Sequence, residues 1–83
     1  MIPRQSVYDA IDSERDYQDG RWGPAKHEMG SFLLYMQDYM DEARRQLSRN
    51  PDVQAVPLAL MTLRKIVALG VACMEQHGAP KRP

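Results

Sequence analysis

The 83-residue sequence has a single cysteine, Cys73, which excludes an internal disulfide; with no recognisable leader at the start, a lone thiol fits a reducing cytoplasm. It has no excess of either charge. Lys plus Arg and Asp plus Glu each number 11, so the net charge is zero and the electrostatic footprint of a nucleic-acid or anionic-membrane binder is missing. It has no clean apolar run either: Leu58 to Met74 is short and interrupted by Arg64 and Lys65, which argues for a soluble chain that does not cross a bilayer. There is no internal repeat, and the tail after Gly78, residues 79–83, is expected to fray. The most specific absence is chemical. From Val53 to Met74 there is no carboxylate at all.

What is present reads as an all-α fold in one domain spanning 1–83: a short N-terminal helix, then a long antiparallel helical hairpin, completed by oligomerisation. The last element follows from size, because so small a chain builds a marginal core unless copies associate. The first helix is expected over 6–18, capped by Ser6 with Asp9 three residues on. Val7, Ala10 and Ile11 are its only apolar face. The stretch "DGRWGP" breaks it, with Gly20 suited to the helix end and Pro24 able to start the next element. The second helix is expected over 25–47, because Met29, Leu33, Met36, Met40, Ala43 and Leu47 recur at alternating spacings of four and three. That row reads as the buried seam, with Phe32, Tyr35 and Tyr39 beside it and an Asp41 to Arg45 pair on the outer face. Pro51 ends the helix, and residues 50–57 reverse the chain.

The third helix, over 57–77, is apolar on most of its circumference. One stripe holds Leu60, Leu63, Val67, Gly70 and Met74; a second holds Ala59, Ile66, Leu69 and Cys73. A single neighbour cannot cover both, so helix two is expected on the first stripe and helix one or a second copy of the chain on the other. Ala68, Gly70 and Ala72 are small enough to let a neighbour come close. Arg64 and Lys65 point about 100° apart and cannot both share one solvent strip. One is expected to snorkel to water, and the other to pair with Asp38, Asp41 or Glu42 across the hairpin or to meet an anionic ligand.

The residues that suggest chemistry are Tyr8, Arg15, Tyr17, Trp22, Lys26, His27, Arg64 and Lys65, a basic and aromatic mixture suited to stacking a base and neutralising a phosphate. Each also has an ordinary reading. Trp22 in a glycine-flanked loop can simply close the end of a small core, and Lys26 and His27 are common near a helix start. Cys73 and His77 lie four apart on one face, but two ligands make no metal site, and a thiol among Val71, Ala72 and Met74 has its thiolate disfavoured.

The run "ERDYQDGRWG", through Glu14, Arg15, Gln18, Trp22 and Gly23, followed by an acid-bearing amphipathic helix and then "LRKIVALGVACMEQHG", resembles small phage and prophage proteins whose helical body looks like the MazG-like nucleotide pyrophosphohydrolases. That family implies an all-α oligomer in which two helices supply acid pairs holding magnesium against a nucleotide's phosphates. Here Glu28, Asp38, Asp41 and Glu42 are the available acids. The second acid set is missing, with Arg64 and Lys65 standing in its place. The departure favours a non-enzymatic, phage-type binding protein without metal or cofactor, located in the host cytoplasm if phage-encoded. Its expected partners are itself and a host component, either a host protein that it inhibits or a host nucleotide signal that it sequesters. The alternative is a divergent magnesium-dependent pyrophosphohydrolase.

Overall fold

The computed structural model describes residues 1–49 and 54–83. They form three α-helices, α1 (Arg4–Trp22), α2 (Met29–Arg49) and α3 (Ala55–His77), and no strand. The expected break at Pro51, with most of the 50–57 connection, lies outside the described residues.

α3 ends at His77 with Gly78 as its cap, as expected, whereas the other helix ends differ from the sequence expectation. α1 begins two residues before Ser6: Pro3 occupies the cap with extended φ −62° and ψ 146°, and the Ser6 amide donates to the Pro3 carbonyl at 3.1 Å. No side chain caps the helix, and Asp9 accepts from Gln5 Nε2 at 2.9 Å instead of closing a capping box. At the other end α1 runs through Gly20 and stops at Gly23, whose φ of 64° suits glycine alone and whose amide bonds the Asp19 carbonyl at 2.8 Å. α2 starts at Met29, not at residue 25. Residues 25–27 are held away from a helix by the end of α3: Gln76 Nε2 donates to the Ala25 carbonyl at 3.3 Å, and the His27 amide donates to Gln76 Oε1 at 2.9 Å. α3 starts at Ala55, two residues before Pro57, which leaves the proline within a first turn that tolerates it.

α3 is the central element. α1 and α2 each pack against it, and their backbones do not meet. Phe32 and Leu69, each 1% exposed, form the centre of the core with Ala72 and Cys73, and Met36 and Tyr39 close over it. Thr62 Oγ1 meets Gln46 Oε1 at 2.9 Å, the Met36 methyl lies beside Gly70, and Cys73 Sγ lies 3.6 Å from Met29 Sδ.

This packing reverses the expected use of α3 and shifts that of α2, whose expected seam keeps only Met36 and Ala43 inside. On α2 the inward row is Phe32, Met36, Tyr39 and Ala43, while Met29, Leu33, Met40 and Leu47 of the expected seam are exposed. On α3 the core under α2 is the second stripe, Ile66, Leu69 and Cys73, and the first stripe is left open at Leu60, Leu63, Val67 and Met74. The reason is volume. A helix row that carries Phe and Tyr rings removes more apolar area from water than one carrying Leu and Met, so α2 turns Phe32 and Tyr39 inward, while Tyr35 stays exposed. By length and composition alone α3, at 23 residues, is long and apolar enough to cross a membrane, which the shorter run read from the sequence was not.

α1 docks through polar groups. Its buried residues are Glu14 and Gln18, while Val7 is exposed and Ile11 only half-buried. It lies over the face of α3 that carries Arg64, Ala68, Ala72 and Glu75, where the two buried alanines permit close approach.

Candidate functional site

The cations and rings singled out by the sequence fall into two groups around α1. Arg64 is answered from α1 and not from α2: its Nε donates to Glu14 Oε1 at 2.8 Å, with the glutamate side chain 7% exposed. Asp38, Asp41 and Glu42 take no part in that pairing. Asp41 is bound by Arg44 on its own helix, not by Arg45, and accepts a further bond from Gln37 Nε2 at 3.2 Å. The Arg44 hydrogen bond holds the Asp41 carboxyl below its ordinary range.

Arg15, half-buried on α1, is the most heavily partnered cation among the described residues. Its Nε donates to Glu75 Oε1 at 2.6 Å, its Nη2 to Asp19 Oδ1 at 2.9 Å and its Nη1 to Gln18 Oε1 at 3.2 Å. The bond to Glu75 raises its pKa further, against partial burial, which pulls the other way. Gln18 Nε2 in turn reaches the Lys65 carbonyl at 3.5 Å, the long end of a hydrogen bond. Glu14, Arg15 and Gln18, three of the residues that carry the family resemblance, thus anchor α1 on α3. Glu75 escaped the sequence reading, although it is the single carboxylate on α3 and follows directly on the acid-free run.

The remaining groups line two adjoining clefts. One, of about 380 Å³, is walled by Glu14, Tyr17, Gln18, Arg21 and Trp22 of α1, Tyr39 of α2 and Arg64 and Lys65 of α3. The other, of about 450 Å³, is aromatic, lined by Trp22, His27, Phe32, Tyr35 and Tyr39. Trp22 and Tyr39 belong to both. The His27 ring holds the aromatic cleft together by edge contacts to Phe32 at 5.6 Å, Tyr35 at 5.9 Å and Trp22 at 6.5 Å. The His27 carbonyl lies 2.8 Å from His77 Nε2, which fixes the linker over the end of α3. Lys65 Nζ stands 5.6 Å from the centre of the Tyr39 ring, a cation–π distance. Among the described residues no carboxylate lies within ion-pair distance of Arg21 or Lys65.

Of the expected site residues, Tyr17, Trp22, Arg64 and Lys65 line the polar cleft, and His27 lines its aromatic neighbour. Arg15 is tied to Glu75 and Asp19, and Tyr8 and Lys26 are exposed and line neither cleft. Arg21 is the addition; its position before Trp22 was the available signal. His77 is taken up with the His27 carbonyl and Cys73 with Met29, so the two do not act as a ligand pair. For magnesium the donor set is poor: among the described residues no three His, Cys, Asp or Glu side chains come together, Glu28, Asp38, Asp41 and Glu42 included. No family model matches the chain, and no curated protein or solved structure matches it, so the chemistry of the clefts is what points to function.

Proposed function

We propose that this is a non-enzymatic, phage-type binding protein that acts in the host cytoplasm by sequestering a host component, with the joined clefts as its ligand site. The ligand class that their chemistry favours is a nucleotide. The carrying observation is the pairing of two accessible cations, Arg21 and Lys65, with the Trp22 and Tyr39 rings that wall both clefts. Glu14 already neutralises Arg64, which leaves the polar cleft with surplus positive charge for a phosphate. The aromatic side offers a stacking surface for a base, worth about 1–3 kcal/mol per base in comparable sites. Each cleft falls in the volume range of roughly 300–1,000 Å³ usual for small-ligand sites.

The body of the protein is read here as α1 docked on an antiparallel hairpin of α2 and α3, completed by self-association. The order of the contacts, Gln46 with Thr62, Met36 with Gly70 and Met29 with Cys73, supports the hairpin. Titration calorimetry over nucleoside mono- and triphosphates and cyclic dinucleotides tests the ligand. Saturable heat that Lys65→Met and Arg21→Met each weaken about tenfold, a loss of about 1.4 kcal/mol, is the expected result. Absence of heat across the panel overturns the nucleotide reading and leaves a host protein as the target.

A further inference from the structure

We infer that the open apolar side of α2 and α3 is a dimer interface, at which a second copy of the chain packs about a two-fold axis. The inference deepens the self-association in the proposed function and does not depend on the ligand. On α2, Leu33 and Met40 immediately follow Phe32 and Tyr39, which face the core, and Leu47 follows Gln46, which bonds Thr62. On α3, Leu63 and Val67 immediately follow Thr62 and Ile66, both buried. Every one of these followers is therefore rotated about 100° in the same sense from the line where the two helices meet. The contact pairs run in opposite order along the two helices, so equal rotation brings both open stripes to one side of the pair. Leu33 is 54% exposed, Leu60 57% and Leu63 42%. Val7 and Ile11 of α1 extend the same surface across a groove of about 340 Å³ against Leu60, Leu63 and Val67.

Area says what covers it. A compact monomer of 9.5 kDa is expected to expose about 5,000 Å². This chain exposes 6630 Å², an excess of roughly 1,600 Å². Two copies each hiding a comparable area reach the roughly 2,000–5,000 Å² typical of obligate homodimers, beyond the about 1,600 Å² of a standard complex. The open residues Leu33, Met40 and Leu47 recur every seven positions, the spacing of helix-on-helix packing, and α2 with α3 from two copies makes a four-helix core. A zero net charge supplies no pull toward an anionic membrane surface. The polar cleft opens on the side of Lys65 and Tyr39, rotated away from these stripes, so dimerisation leaves both ligand sites accessible.

Analytical ultracentrifugation of the full chain over about 1–200 μM tests the inference, since a micromolar constant spans that range. The wild type is expected at twice 9.5 kDa. Leu63→Glu and, as an independent second variant, Met40→Glu each place a charge in the interface and are expected to weaken self-association at least ~100-fold while keeping helical circular dichroism. Leu34→Glu, on the other side of α2 where the side chain is 68% exposed, is expected to leave the dimer intact. A monomeric wild type throughout that range, an assembly indifferent to both interface variants, or flotation of the wild type with neutral lipid vesicles as a monomer would each overturn it. Calorimetric silence toward nucleotides does not bear on these masses, so the two readings fail separately.

Discussion

Arg64 on α3 donates its Nε to Oε1 of Glu14 on α1 at 2.8 Å, closing a sequence separation of 50 residues with a carboxylate that is almost wholly removed from water. The basic pair on the most apolar helix is thereby accounted for: Arg64 receives the first helix, and Lys65 rests against the Tyr39 ring of the second.

Removing either partner of the Glu14–Arg64 pair leaves the other charge without its match. Glu14→Ala is expected to destabilise the fold by about 2 kcal/mol, less than the roughly 3–5 kcal/mol of a fully buried pair, because the Arg64 side chain keeps 37% of its exposure. Urea unfolding of Glu14→Ala, Arg64→Met and the double variant gives the coupling directly. Additive losses would show that the pair does not hold α1 in place.

Two glycines on α1 should respond with opposite sign to the same substitution. Gly23 sits at φ 64°, so Gly23→Ala is expected to lower stability by about 1 kcal/mol through strain at the helix end. Gly20 lies inside the helix with no neighbour within 4 Å of an added Cβ, so Gly20→Ala is expected to raise stability by about 0.5–1 kcal/mol. Thermal melts of the two variants side by side read the difference.

The Asp41 carboxyl, held down mainly by the Arg44 hydrogen bond, should titrate below its ordinary value of 3.8 in the folded chain. A folded-state pKa below the unfolded one means that its stabilising effect is fully present above pH 3.8 and is lost as the pH falls through the lower, folded value. A carbon-detected NMR titration of Asp41 checks the midpoint. Arg44→Gln should move that midpoint back up, and an unchanged midpoint would place the cause elsewhere.

Phe32 fills the centre of the core, and no other phenylalanine exists to replace it. Phe32→Ala is expected to cost about 3–5 kcal/mol, enough in a chain this small to remove most of its stability. Loss of cooperative unfolding in calorimetry is the readout. Leu33→Ala, one position along and exposed, should leave the monomer's own fold nearly unchanged.

The sequence was informative where local physics decides and silent where a choice between equals had to be made. Alternating spacings of four and three marked α2 as a helix, but two adjoining rows satisfied the same period. The row of Phe32, Met36, Tyr39 and Ala43 went inward, and the Leu33, Met40 and Leu47 row stayed out. α1 was harder to place, since its contact face is made of Glu14, Arg15 and Gln18, residues that composition assigns to water. In the candidate site, Tyr17, Trp22, Arg64 and Lys65 were recognisable by type and do gather, whereas Arg21 and the bracing contacts of Gln76 and His77 depend on which chain ends meet.

Three helices, their approximate limits and an excess of apolar surface on α3 were determined by the sequence alone, because propensity, terminating glycines and period act within a few residues. The tertiary structure decided which stripe each helix buried, which acid met Arg64 and how Trp22 and Tyr39 came to wall adjoining clefts. Those outcomes depend on the relative rotation of whole helices, which is set by the summed fit of side chains distant in sequence and by the need of a buried charge for a partner.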